Sequence, residues 1–171
     1  MIPSEKHREA GTLLFLALIP TILFGDILFG SGTLYLRDVA FYHYPGKHVL
    51  REIVLGGEFP YWSPYISAGQ PLAANPVHQV FYPPTWLILL PDFTTGFNLL
   101  ALIHVYLATF GMYALLRSMR PGDSPTDQRY RAAAAFGGLS FGVGGLIVSM
   151  LNLFPLLYTA AWLPEIGRAH V

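Results

Sequence analysis

The chain has no cysteine in its 171 residues. Disulfides and thiolate metal sites are therefore excluded, and nothing marks the redox state of its compartment. Charge is also scarce: Asp, Glu, Lys and Arg make up 12% of the residues, about half of the roughly 25% found in soluble domains. Basic and acidic residues balance to a net charge of zero, with no basic block, so nucleic acid is not an expected partner. No HExxH pattern occurs, and His43 and His48 are poorly spaced to share a metal on a helix. No cofactor is expected; a divalent metal is compatible with the sequence but not supported by it.

What is present instead is apolar sequence, 53% of the chain, gathered into long runs. Residues 12–29, TLLFLALIPTILFGDILF, would measure about 27 Å as a helix, enough to cross a hydrocarbon core. The run is long for a signal peptide. It reads as a first transmembrane helix kinked at Pro20. Residues 96–116 read as a second span and residues 132–151 as a third, where Gly138-x-x-x-Gly142 suits close helix packing. Residues 153–164 read as the start of a fourth. Thr85 to Pro91 is too short to cross and reads as an interfacial or re-entrant piece. The expected fold is all-α: a polytopic helical membrane protein fragment of three to four transmembrane helices with a structured extracytoplasmic loop.

The connector 117–131 carries Arg117, Arg120, Arg129 and Arg131 against Asp123 and Asp127, which places it in the cytoplasm by the positive-inside rule. Residues 1–11, with Lys6 and Arg8, fall on the same side, and the loop 30–95 lies outside. The closing EIGRAHV departs from the apolar pattern. Its codons can contain the start of a common sequencing adapter, so residues 165–171 are expected to be read-through from a truncated DNA fragment.

The candidate chemistry lies in the outer loop. Seven prolines between residues 45 and 84 break it, and Tyr42, Tyr44, Tyr61, Trp62, Tyr65, Tyr82 and Trp86 supply rings that settle at headgroup level. Asp38 is a candidate general base; a helix N-cap or a pair with Arg37 is the plainer reading. Pro45 to Leu55 reads as a short amphipathic helix ended by Gly56-Gly57. Val49, Leu50, Ile53 and Val54 form one face, and Lys47, His48, Arg51 and Glu52 the other. From that polar face Lys47 and Arg51 are placed to hold a phosphate, or simply to be solvated. His78 is a pocket residue or a loop-bonding histidine. Asn98, His104 and Asn152, in or beside spans, face a cavity or bond between helices. Asp26 is a second acid or a mark of the membrane boundary.

The series Asp38, Tyr42-His43-Tyr44-Pro45, GGEFPYWSPY (56–65), AGQPL (68–72), FYPP (81–84), ALIHVYLATFGMYALLR and TAAWLP resembles the N-terminal part of the YfhO-type bacterial membrane proteins. These belong with the GT-C class of glycosyltransferases. The resemblance covers roughly residues 12 to 164. It implies a multi-pass enzyme of the bacterial cytoplasmic (inner) membrane, with a lipid bilayer around it. A sugar would pass from a polyprenyl-phosphate-linked donor to an envelope glycan or lipid acceptor. It also implies that Asp38 is the catalytic base and that Lys47 or Arg51 stabilises the departing phosphate. Trp62, Tyr65, Gln70, Asn75 and His78 would stack on or hydrogen-bond a sugar. Donor-pocket residues from the family's later spans are missing, so the fragment alone is expected to be inactive. The rivals are a non-catalytic membrane protein that binds or translocates lipid-linked intermediates, and a structural protein whose aromatic loop anchors the bilayer surface.

Overall fold

The computed structural model describes residues 5–65, 68–119 and 127–170. In chain order they form α1 (Glu5–Leu23), α2 (Gly25–Phe29), a π-helical turn (Val39–His43) leading into α3 (Tyr44–Leu55), and strands β1 (Trp62–Ser63) and β2 (Gln70–Pro71). Two 3-10 segments follow (Pro76–His78 and Pro83–Leu89), then α4 (Phe93–Ser118), α5 (Asp127–Gly142), α6 (Gly145–Met150) and α7 (Phe154–Arg168). The described residues are mostly helical, as expected. β1 and β2 form one short antiparallel ladder, Trp62 opposite Pro71 and Ser63 opposite Gln70. Contacts divide the chain into two compact units, one of Met1–Gly25, Ile103–Ser149 and Tyr158–Val171, the other of Asp26–Leu102 and Met150–Leu157.

The first unit holds helices laid side by side. Tyr106 shares a 2.7 Å hydrogen bond with Thr21 and Tyr113 donates to Glu9 at 2.6 Å, so α4 runs opposite to α1. Arg8 meets Gln128 and Glu9 meets Arg131, while Leu16 packs with Ala134 and Ala135; α5 therefore runs with α1. His104 stacks on Tyr158 at 4.0 Å, and Gly111 approaches Pro164, so α7 runs with α4. Gly138 and Gly142 face Thr109, and a Cβ on Gly138 would stand 2.8 Å from the Thr109 carbonyl oxygen. The GxxxG spacing thus serves the close approach of two helices.

Two helical stretches, Phe93–Ser118 and Gln128–Met150, are long and apolar enough to cross a membrane. The expected span 12–29 is not one continuous helix. It is divided at Phe24, whose N–H closes the last turn of α1 on Pro20. Pro20 has no N–H to return to Leu16, and α1 reaches back to Glu5 instead, so its apolar part is about 18 Å long. The expected third span bends at Val143–Gly144, between α5 and α6. α7 continues past Pro164 to Arg168, which pairs with Glu165 at 2.6 Å. Arg120 and Asp123 of the expected connector lie outside the described residues.

In the second unit α3 begins at a proline-bearing first turn and stops at Gly56. Gly57, at φ +83°, follows it, and the Glu58 N–H reaches back to the Ile53 carbonyl, a Schellman close. The expected polar face is corrected here: Lys47 is buried, as are Gly46 and Leu50. The chain after α3 returns across this side of the helix, and the 76–79 turn covers Lys47. Pro83–Leu89 is a 3-10 segment with Thr85 and Ile88 buried. Asn98 donates to the carbonyls of Ile27 and Gly32 and accepts from Thr33, tying α2 and its exit to α4. Phe97 stacks with Phe154 at 5.1 Å and meets Tyr44 edge-on at 5.0 Å, and these rings form an aromatic core.

Candidate functional site

Asp38 stands just before the π-helical turn. Its side chain does not cap that turn, so the N-cap reading gives way to two other sets of partners. Arg37 Nε donates to Oδ1 at 2.9 Å and Nη2 to Oδ2 at 3.4 Å. Asn152, 114 residues away, donates its Nδ2 to Oδ2 at 3.2 Å and accepts the Asp38 backbone N–H on its Oδ1 at 3.0 Å. A single amide thus holds both the backbone and the carboxylate of Asp38. In the turn, the Tyr44 N–H bonds back to the Val39 carbonyl, an i→i+5 step. The wider turn brings Asp38 and His43 to one side, which α-helical pitch would rotate apart.

Asp38, Tyr42 and His43 line a cavity of about 350 Å³ whose other walls are Val77, Leu153, Pro155 and Leu156. His43 lies flat on Phe154, ring centroids 5.1 Å apart. Tyr42 stacks on His78 at 5.7 Å, and its hydroxyl accepts from Asn75 Nδ2 at 3.4 Å. Asn75 also caps the 76–78 turn by accepting the Val77 N–H. Gln70 Nε2 faces His78 Nε2 at 3.5 Å. Beneath this layer Lys47 Nζ donates to the His78 carbonyl and, at 3.1 Å, to Gln79 Oε1. The cavity is therefore polar at its Asp38 end and apolar along the 153–156 segment.

The electrostatics follow from burial and neighbours. The Arg37 guanidinium holds the Asp38 carboxyl below its ordinary value, so Asp38 is ionised at neutral pH. Burial lowers Lys47 to about 7. Burial, reinforced by the Lys47 charge, lowers His43 and His78 to about 4. Both imidazoles are then neutral at pH 7. Asp38 remains reachable: its side chain is 29% exposed, and that of its partner Arg37 is 81% exposed.

Of the residues singled out in the sequence, Asp38, Asn75 and His78 come together around Tyr42. Lys47 supports the same layer from inside and does not stand on an open polar face. Arg51 reaches the other way, donating to the carbonyls of Leu90 and Pro91 and pairing with Glu52. Trp62 is exposed on the β-ladder with its ring against Gly69, where φ is +106° and a Cβ would stand 2.8 Å from the ring. Tyr65 is also exposed. Neither lines the cavity. The sequence reading missed Tyr42 and His43 as cavity residues and had no means of pairing Asn152 with Asp38. An asparagine beside an apolar run was the available signal. Among the described residues, no group of three or more His, Cys, Asp or Glu is placed to hold a metal ion. The arrangement amounts to a reachable, oriented carboxylate at the polar end of an amphipathic cavity. No protein-family model, curated protein or solved structure matches the chain.

Proposed function

We propose that the chain is the N-terminal part of a GT-C-like, YfhO-type glycosyltransferase of the bacterial cytoplasmic membrane. It would transfer a sugar from a polyprenyl-phosphate donor to an envelope glycan or lipid acceptor. The observation that carries this reading is Asp38 in the cavity lining, fixed by Asn152 and paired with an exposed arginine. An acceptor hydroxyl that displaces Arg37 gives its proton to Asp38, and its oxygen attacks the anomeric carbon. The bond from that carbon to the lipid phosphate breaks, and polyprenyl phosphate leaves with the electron pair. The low Asp38 pKa limits its strength as a base while Arg37 is paired with it. Moving Arg37 onto the phosphate raises the basicity of Asp38 and places a cation on the leaving group together.

Support for the membrane topology comes from the helix directions of the first unit. α1 and α5 run one way and α4 and α7 the other, as four consecutive crossings would require. In this reading α1 with α2, α4, α5 with α6, and α7 are the three to four spans. The end bearing Glu9 and Arg131 is cytoplasmic, and residues 30–95 are extracytoplasmic. The discriminating experiment is Asp38→Asn in the intact protein in its membrane. The enzyme reading expects product to fall about 10²–10⁴-fold, the usual size of a general-base contribution, with expression unchanged. Unchanged product removes Asp38 as the base. The non-catalytic alternative, carriage of lipid-linked intermediates through the same cavity, is favoured by its apolar 153–156 wall. That reading expects Asp38→Asn to leave sugar transfer unaffected.

A further inference from the structure

The lining of the Asp38 cavity sorts the molecules that fit it. It carries one charged side chain, Asp38 itself, since His43 is neutral at pH 7. Two cations stand outside the lining: Arg37 pairs with Asp38 from an exposed position, and Lys47 is buried against the His78 carbonyl and Gln79. Apart from Tyr42 and His43, the rest of the wall is hydrocarbon, from Val77, Leu153, Pro155 and Leu156. Leu153 and Leu156 are 39% and 51% exposed, so much of their apolar surface is left open. The start of a helix often offers N–H groups to a phosphate, but the start of α7 has few to give. Pro155 has none, and those of Leu156 and Leu157 already close on the Leu153 carbonyl at 2.9 and 3.0 Å. A phosphate inside the cavity would therefore meet a carboxylate and hydrocarbon.

The volume of about 350 Å³ holds about a dozen non-hydrogen atoms, at roughly 30 Å³ each as in a liquid. A hexose is of like size, so the lining decides. A hexose would turn hydroxyls toward Val77, Leu153 and Leu156, where they lose partners; an alcohol with a hydrocarbon body matches both ends. Resting on the glycosyl-transfer reading of Asp38, we propose that the acceptor is an uncharged lipid alcohol of the diacylglycerol kind, its hydroxyl at Asp38 and its hydrocarbon along Val77, Leu153 and Leu156. The acceptor O–H bond breaks and its proton passes to Asp38, while the oxygen bonds to the anomeric carbon. The bond from that carbon to the lipid phosphate breaks, giving a glycosyl diacylglycerol and polyprenyl phosphate. The entering oxygen and the leaving phosphate lie on opposite faces of the sugar in such a displacement. The donor's prenyl chain thus trails away from the cavity, and the apolar wall is left to the acceptor.

The test has two parts, both on the intact protein. In a neutral detergent, a diacylglycerol carrying a diazirine on one acyl chain is photo-cross-linked, and the sites are mapped by mass spectrometry. Cross-links are expected at Val77 and residues 153–156. Dioleoylglycerol should displace them about tenfold better than dioleoyl phosphatidylglycerol, undecaprenyl phosphate or maltotriose. Leu156→Gln, at a half-exposed position, should weaken capture about five- to tenfold with the melting temperature unchanged, the scale of one lost apolar contact, and Leu156→Met should restore it. Displacement by undecaprenyl phosphate as good as by dioleoylglycerol makes the wall a seat for the donor chain and overturns the proposal. Equal displacement by phosphatidylglycerol or maltotriose, or capture indifferent to Leu156→Gln, overturns it as well. In the membrane, the sugar is expected in the lipid extract as glycosyl diacylglycerol, lost in Asp38→Asn and reduced in Leu156→Gln. Product that needs Asp38 but stays on a water-soluble glycan overturns the acceptor assignment and leaves the glycosyltransferase reading standing. Product unchanged in Asp38→Asn removes that reading, and the acceptor assignment with it.

Discussion

Two carboxylates in this protein are surrounded in opposite ways. Glu9, although its side chain is 35% exposed, is tied to several elements: a tyrosine hydroxyl donates to it, and two arginines, one of them buried, share it. Asp38 has an oriented inner side, given by Asn152, and an outer side paired with the side chain of an exposed arginine beside a cavity. The first arrangement holds helices together. The second leaves an acceptor oxygen that a ligand can take over by displacing one surface cation. The difference lies in the partners, since both acids sit at the edge of apolar helices. An acid with buried cationic partners is a structural element, and one with an exposed partner is available for chemistry.

The largest expected effect that sharpens this contrast is the loss of product in Asp38→Asn, paired with unchanged thermal stability. If Asp38→Asn unfolds the protein and leaves the surviving activity per molecule intact, the two carboxylates are alike and the contrast fails. Glu9→Ala should do the reverse. It removes the acceptor of the Tyr113 hydroxyl and one carboxylate beside Arg131, the kind of loss that costs about 1–3 kcal/mol, and denaturant midpoints would register it. A cost under about 1 kcal/mol would place Glu9 among ordinary surface pairs.

Asn152→Ala should reduce transfer about 10- to 100-fold by loosening the carboxylate. It should also shift the Asp38 titration followed by NMR, which a purely structural asparagine would leave alone. Lys47→Met acts through pH dependence and reports on the layer under the cavity. The unfolded chain binds a proton at Lys47 up to pH about 10.4, whereas the folded one releases it near 7. Between those values the unfolded state holds more protons, so stability rises with pH, by at most about 1.4 kcal/mol per pH unit. His43 and His78, lowered to about 4, add a like rise between pH 4 and 6.5. Melting temperature against pH should lose the upper rise in Lys47→Met and keep the lower one. A wild-type curve that is flat or falling from pH 7 to 10 would mean that Lys47 is solvated.

Much of the helical layout is legible in the sequence because long apolar runs bounded by polar or glycine-rich stretches have few folded alternatives. Residues 96–116 lie within α4, and the Gly138–Gly142 spacing meets Thr109 as a packing motif. The run at 12–29 was less legible: the sequence pointed to a kink at Pro20, but hydropathy does not register that the helix divides at Phe24. Lys47 was misplaced for a related reason. Helical periodicity assigns a residue to a face of its own helix, and whether that face is solvated depends on what the chain lays over it thirty residues later. Prolines forbid a long regular element after α3, and the 76–79 segment lies back across Lys47.

The candidate site shows the same division. Composition and apolar periodicity by themselves determine that this is a helical chain rich in membrane-compatible segments, with its polar chemistry concentrated in one proline-broken stretch. Those properties are sums over local preferences, which a sequence states directly. Only the tertiary structure decides that Asp38 is held by Asn152, that the π-helical turn brings His43 beside it, and that Arg51, Trp62 and Tyr65 stand elsewhere. The Asn152 pairing joins parts of the chain 114 residues apart. It is set by packing and by the need of buried polar groups for partners, neither of which can be read from one residue and its neighbours.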